Sequence, residues 1–325
     1  MQRVVWLFSL LAACSAASSG TQGGVPSDAP SDGSDAGEGQ GPDAAPVPAP
    51  GDGPDGMVPD GPDALGRDYR ELGAANVSSS KKTFTAAACN FEYETFTPDA
   101  VASDVVLVIA PGFALAAGLG STREALTPLA QHLASWGIVT HTVKLCTNGG
   151  GIDHAKNGAA IAEFGETLGG TRVVYAGFSA GGLGAMIAAS QANNTLAYFA
   201  LDAVDKDGLA RAALDAIDAP TYALVGEPSS CNSDGNMRAQ YEGRSTRVVK
   251  INGAQHFIFE GSACEGIKCA LCNGGGAAEA TAVRALMAAA VLSTSGVDAG
   301  AQSWWQTESA EWKSLADQGL VSKIQ

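Results

Sequence analysis

A serine set between two glycines at a spacing of two, Gly177-Phe178-Ser179-Ala180-Gly181, is the part of this chain best equipped for chemistry. The run before it, Arg172-Val173-Val174-Tyr175-Ala176, reads as a strand. The small-residue run after it, Gly182 to Ala189, reads as a helix. A serine on a tight strand-to-helix turn is raised to the top of a sheet as an acyl-transfer nucleophile. The next backbone N–H, that of Ala180, then faces the oxyanion that develops during attack. Glycine is required on both sides because a side chain there would strike the neighbouring strand or helix. With 41 glycines in the chain, the five-residue pattern alone would be no more than a turn in a βα unit. The flanking strand and helix give it its meaning.

At this motif the sequence resembles the α/β-hydrolase superfamily. That resemblance implies a triad in the chain order serine, acid, histidine. Of the four histidines, His132, His141, His154 and His256, only His256 follows Ser179. It lies in Gly253-Ala254-Gln255-His256-Phe257, just after the last strand-like run, where a general base can reach the serine. His132 reads as helix surface, His141 as strand and His154 as a helix start. Three carboxylates compete for the acid. Asp202, in Leu201-Asp202-Ala203-Val204-Asp205, ends an apolar strand, and a carboxylate buried there needs a partner. Glu227 follows the next strand and Asp205 lies three residues on; Asp202 is preferred. The alternative for Asp205 and Asp207 is a solvated turn around Lys206 and Gly208. The second oxyanion donor is expected from the loop Pro111-Gly112-Phe113-Ala114, with the Phe113 N–H paired with that of Ala180.

Within the superfamily the chain is most similar to the chlorophyllase and dienelactone-hydrolase-like branch, with cutinase-like enzymes as nearby relatives. The similarity covers roughly residues 80 to 293. Leu201-Asp202-Ala203-Val204-Asp205-Lys206-Asp207-Gly208 resembles the D-P-V-D-G run that follows the elbow helix in chlorophyllases. Phe113 falls where an H-G-F or P-G-F/Y loop supplies an oxyanion amide. Pro111 and Phe178 depart from the histidines common at those positions, and the cutinase-like acid has only Glu227 as its counterpart.

The elements that must hold these groups alternate in type. Lys82 to Pro98 is strand material, and Asp104 to Ala110 is a continuous apolar run suited to a buried parallel strand. Helix is expected over Thr122 to Gly137, strand over Ile138 to Leu145, and helix over Asp153 to Thr167 with a cap near Asp153. After the elbow come strands at Leu196 to Ala203, Thr221 to Val225 and Thr246 to Ile251, and a last helix over Ala277 to Ser293. The pattern predicts an α/β domain with a doubly wound, mostly parallel sheet. Trp304, Trp305 and Trp312 then form an apolar tail that packs on the domain or borders a pocket.

Residues 1–14 read as an export signal, and Leu11-Ala12-Ala13-Cys14 resembles the lipobox of bacterial lipoproteins, with Cys14 as the lipidated residue. The apolar run is too short to span a bilayer. Residues 15–67 are rich in Pro, Gly, Asp, Ser and Ala, build no core and are expected to be a disordered linker. Residues 68–325 then form the domain. Roughly half of the net charge of −15 falls in the linker. The remaining acidity argues against nucleic acid and against docking on anionic lipid other than through the anchor. Setting Cys14 aside, Cys89, Cys146, Cys231, Cys264, Cys269 and Cys272 make an even set, which suggests three disulfides. One of the last three is expected to bridge elsewhere, with Cys231 as a partner. The competing zinc reading of Cys269-Ala270-Leu271-Cys272 lacks further ligands, so no metal and no organic cofactor are expected.

These expectations combine into a serine esterase without cofactor. It would be lipid-anchored at the cell envelope, at the outer membrane or surface, and act on small-molecule or polymeric esters. The alternative is a surface module that keeps the fold and binds without turnover.

Overall fold

Strands buried on both faces need a nearly continuous apolar run, and four such runs supply most of the sheet's centre. The computed structural model describes residues 67–113, 121–147, 151–168, 172–264, 272 and 274–324. The lipidation signal with Cys14, the linker up to residue 66, Ala114 and Cys269 lie outside the described residues. In chain order the elements are β1 (Val77–Thr85), β2 (Asn90–Pro98), β3 (Val106–Ala110), α1 (Thr127–Ser135), β4 (Val139–Val143), α2 (His154–Thr167), β5 (Val173–Phe178), α3 (Ala180–Gln191) and β6 (Thr195–Leu201). Then come α4 (Leu209–Asp215), β7 (Thr221–Val225), α5 (Arg238–Tyr241), β8 (Arg247–Ile251), α6 (Ala277–Ser295), α7 (Ala310–Asp317) and β9 (Val321–Lys323).

The strands form one nine-stranded sheet in the order β1-β2-β4-β3-β5-β6-β7-β8-β9. The six from β4 to β8 run parallel, while β1, β2 and β9 pair antiparallel at the two margins. Alternate residues of each parallel strand enter different cores. Leu107, Ile109, Val174, Phe199, Leu224 and Val249 pack with α1, α6 and α7. Val108, Tyr175, Tyr198, Ala223 and Val248 pack with α2, α3 and α4. Helices therefore cover both faces, as the alternation of elements predicted.

Three expectations change in detail. The strand material from Lys82 to Pro98 is two strands of one hairpin, the end of β1 and the whole of β2; β1 begins earlier, at Val77, which pairs with Pro98. β1 is Ser- and Lys-rich and largely exposed, so it carries no hydrophobic alternation to read; that polarity suits an edge strand. The helix expected over Thr122 to Gly137 is a 3-10 turn, Arg123–Leu126, followed by α1, whose first turn holds Pro128. His132 is not on the helix surface. It is 1 % exposed, and its Nε2 lies 2.9 Å from the Tyr69 carbonyl, because residues 67–76 run across α1. Burial, with the Arg284 charge nearby, pushes its pKa down to about 4.

The tail acts in packing. Trp304 and Trp312 are buried in the core that contains α6, and Trp305 Nε1 donates to the Leu286 carbonyl at 3.0 Å. α6 is apolar nearly all round because the tail covers what the sheet and α1 leave open. Disulfides join Cys89 to Cys146 and Cys231 to Cys272, and Cys264 is also disulfide-bonded. The bridge from the Cys264–Cys272 cluster to Cys231 is the one expected. The first bridge ties the start of β2 to the loop after its neighbour β4.

Candidate active site

Ser179 stands between β5 and α3 with φ 56° and ψ −124°, a left-handed conformation that a serine adopts only under constraint. The constraint is steric and comes from glycine. A Cβ on Gly177 would lie 2.3 Å from the Gly181 carbonyl oxygen, and one on Gly181 would lie 2.0 Å from that of Pro111. One on Gly182 would lie 2.5 Å from Ala203 Cβ. The turn is thus clasped between the ends of β3 and β6. The Ser179 N–H donates to the Leu201 carbonyl, and the Ser179 carbonyl accepts from Gly182 and Val204.

The expected base and preferred acid meet this serine. His256 Nε2 is 2.8 Å from Ser179 Oγ, and His256 Nδ1 is 2.6 Å from Asp202 Oδ2. All three side chains are buried. Asp202 directly follows β6 and also has a left-handed backbone, with φ 42°. Its Oδ1 accepts the Gly226 N–H at 2.9 Å, and its Oδ2 also accepts Asn232 Nδ2 at 3.0 Å. Every donor that a buried carboxylate needs is therefore present. His256 opens a 3-10 turn, His256–Glu260, and its ring lies 4.6 Å from the ring of Phe178, centre to centre. With the carboxylate at Nδ1, the Nδ1–H tautomer leaves Nε2 free to accept the serine proton.

The other two carboxylates lie elsewhere. Glu227 does not face His256. Its Oε1 accepts the Gly253 N–H at 3.0 Å, and its Oε2 pairs with Lys250 Nζ at 2.8 Å. Burial pushes its carboxyl up, but the bonds from Lys250 and Gly253, with the Lys250 and Arg238 charges, hold it below the usual range. Glu227, in the loop after β7, braces the loop that leads from β8 to His256. Asp205 is neither the acid nor a solvated turn: its Oδ1 accepts the Ala210 N–H at the start of α4.

The loop after β3 lies against the elbow. A Cβ on Gly112 would be 2.9 Å from Ser179 Cβ, so the loop that continues into Phe113 passes beside the serine. The Phe113 carbonyl accepts from Ser121 at 2.8 Å. Ala180 is the first residue of α3, where an N–H has no acceptor within the helix. His154, the first residue of α2, is also close: a hydrogen bond with the Ala180 backbone partly offsets the burial that lowers its pKa. Phe257, next to His256, lines a cavity of about 480 Å³ with Glu124, Pro128 and Glu260.

Sequence reasoning missed Asn232. It lies in Ser229-Ser230-Cys231-Asn232-Ser233-Asp234-Gly235, a composition that signals only a loop. The one hint was its neighbour Cys231.

The arrangement can deprotonate a serine, hold the resulting imidazolium against a carboxylate, and face an oxyanion with backbone N–H groups at a helix start. No protein-family model matches this chain, and no curated protein sequence matches it.

Proposed function

We propose that this protein is a serine hydrolase of the α/β-hydrolase type that cleaves carboxylic esters. The observation that carries the reading is the buried relay from Asp202 through His256 to Ser179, with both bonds under 3 Å. Supporting it are the strained serine turn after β5 and the order of acid after β6 and base after β8, which follows the hydrolase order Ser, Asp, His. Ser179 attacks the ester carbonyl while His256 takes its proton. Asp202 holds the imidazolium, and the amides of Phe113 and Ala180 receive the oxyanion. His256 then protonates the departing alcohol, and water, activated by the same histidine, releases the acyl group from Ser179.

The disulfides fit an oxidising compartment, and with the Leu11 to Cys14 pattern they support export and a lipid anchor at the cell envelope. The reading requires the relay residues and no metal ion.

The test is hydrolysis of p-nitrophenyl esters from C2 to C16 by the full chain, together with labelling by a fluorophosphonate probe. Wild type is expected to turn over and to be labelled at Ser179. Ser179→Ala is expected to lose at least about 10⁴-fold in kcat and all labelling. No turnover and no labelling of an oxidised, folded protein would overturn the reading and favour a binding module.

A further inference from the structure

Asp202 has a second side-chain donor whose surroundings are more elaborate than a loop requires. Asn232 is 1 % exposed, and its carboxamide uses all its hydrogen-bonding capacity. Nδ2 donates to Asp202 Oδ2 at 3.0 Å and to the Glu227 carbonyl at 2.9 Å, while Oδ1 accepts from Ser229 at 2.8 Å and from Gly235 at 3.1 Å. Those partners fix which end of the amide faces the carboxylate. The backbone around it is forced: Ser233, Asp234 and Gly235 all have left-handed φ, of 51°, 57° and 71°. Two non-glycine residues in succession hold that conformation only where neighbours over-determine it. The same loop touches the acid segment a second time, where Asn236 exchanges hydrogen bonds with the Asp205 backbone.

The loop is also tied covalently. Cys231, immediately before Asn232, is bonded to Cys272, which lies beyond His256 and before α6. The bridge joins the loop that holds the acid to the segment that continues from the base.

We propose that Asn232 is the positioning residue of the relay, clamping the Asp202 carboxylate toward His256, and that the Cys231–Cys272 disulfide fixes the loop carrying it. The inference rests on the hydrolase reading above. Asn232 acts on Oδ2, the oxygen that also receives His256, so its loss frees the carboxylate to turn about the Gly226 contact. A misplacement of that kind costs roughly 10- to 100-fold in rate.

The test compares Asn232→Ala with Asn232→Asp in the full, oxidised chain, using p-nitrophenyl acetate at pH 8. Asn232→Asp keeps the acceptor for Ser229 and Gly235, so it preserves the turn while setting a like charge against Asp202. The expected result is that kcat falls roughly 10- to 100-fold for Asn232→Ala, with KM within about threefold, and at least as far for Asn232→Asp. A purely structural role gives the opposite order, because Asn232→Asp would be the milder change. In an Asp202→Asn background, Asn232→Ala is expected to change kcat by less than about threefold, since a residue acting through Asp202 has nothing left to act on. The pair Cys231→Ser, Cys272→Ser is expected to lower kcat several-fold, and the pair Cys89→Ser, Cys146→Ser to leave it unchanged. Unchanged kcat in Asn232→Asp, a milder Asn232→Asp, or full additivity with Asp202→Asn would each overturn the inference. Its failure is distinguishable from that of the hydrolase reading: an unlabelled wild type overturns both, and a labelled wild type beside unaffected Asn232 variants overturns this one alone. Asn232→Asp keeps the question decidable if Asn232→Ala does not fold.

Discussion

The two halves of the site are held in place by different forces. The half that carries the proposed nucleophile, Ser179 with the Pro111-Gly112-Phe113 loop, is fixed by close packing of backbone on backbone. At Gly112, Gly177, Gly181 and Gly182 an added carbon would approach its neighbour to 2.9 Å or less. The half that carries the proposed acid and base, Asp202 and His256, is fixed by polar tethers. Gly226 and Asn232 hold the acid, Glu227 braces Gly253 and accepts nothing from the base, and a disulfide closes the circuit. Close-packed interiors yield little, so the first half should fail all at once. A hydrogen-bonded half should fail by degrees, one tether at a time. The lesson is that precision at the nucleophile comes with the fold, while precision at the base is assembled from loops and can be tuned without unfolding the protein.

The hardest break of that comparison is Gly181→Ala. The new methyl would sit 2.0 Å from the Pro111 oxygen and 2.7 Å from that of Ala110, both backbone atoms that cannot swing aside. Overpacking against backbone should exceed about 3 kcal/mol, so thermal melting is expected to show a large fall in midpoint or no folded protein. A variant that melts like wild type and keeps its activity would show that the elbow is not clasped as described.

The same contrast explains what could be read in the sequence. The elbow is local and steric, so its constraint is written as glycines at fixed spacing beside a strand and a helix. The centre of the sheet was legible for a similar reason, since β3, β5, β6 and β7 are apolar at consecutive positions. The hairpin strand β1 and the three-residue β9 were not, because their place is set by backbone pairing along a sheet margin, with little side-chain pattern. Asp202 stood out as a carboxylate ending an apolar strand. Asn232 could not, since its partner is thirty residues away and joined through space. His132 was misplaced because the segment that buries it, around Tyr69, lies beyond any helical period. The bracing role of Glu227 was equally hidden: after a strand, a brace and a catalytic acid look alike.

Comparing the halves by activity requires conditions in which the fold itself is steady, and two histidines remote from the relay set that window. Burial pushes both His132 and His141 down to about 4 from an ordinary 6.5. Between those values the unfolded chain binds protons that the folded chain refuses, so stability falls as pH drops from 6.5 toward 4. The slope is up to about 1.4 kcal/mol per pH unit for each histidine. Urea denaturation at pH 7.0 and pH 5.5 is expected to show a lower midpoint at pH 5.5 in wild type. A midpoint independent of pH over that range would mean that neither ring is buried as a neutral base.

The finest test is Glu227→Gln, which loosens a single tether in the polar half. The amide keeps an oxygen for the Gly253 N–H and loses the charge that pairs with Lys250, a partly exposed ion pair at 2.8 Å. Such a pair contributes about 1 kcal/mol or less. The loop leading to His256 also keeps the backbone bond from Glu227 to Ala254, at 2.9 Å. The expected outcome is a fall in kcat/KM of less than about tenfold, eased further at high salt where the wild-type pair is itself weakened. Asp202→Asn should cost on the order of 10⁴-fold under the same conditions, because it upsets the tautomer of His256 directly. If the two variants fell equally, Glu227 would share the acid's work, and the division between a bonded acid and a bracing carboxylate would have to be redrawn.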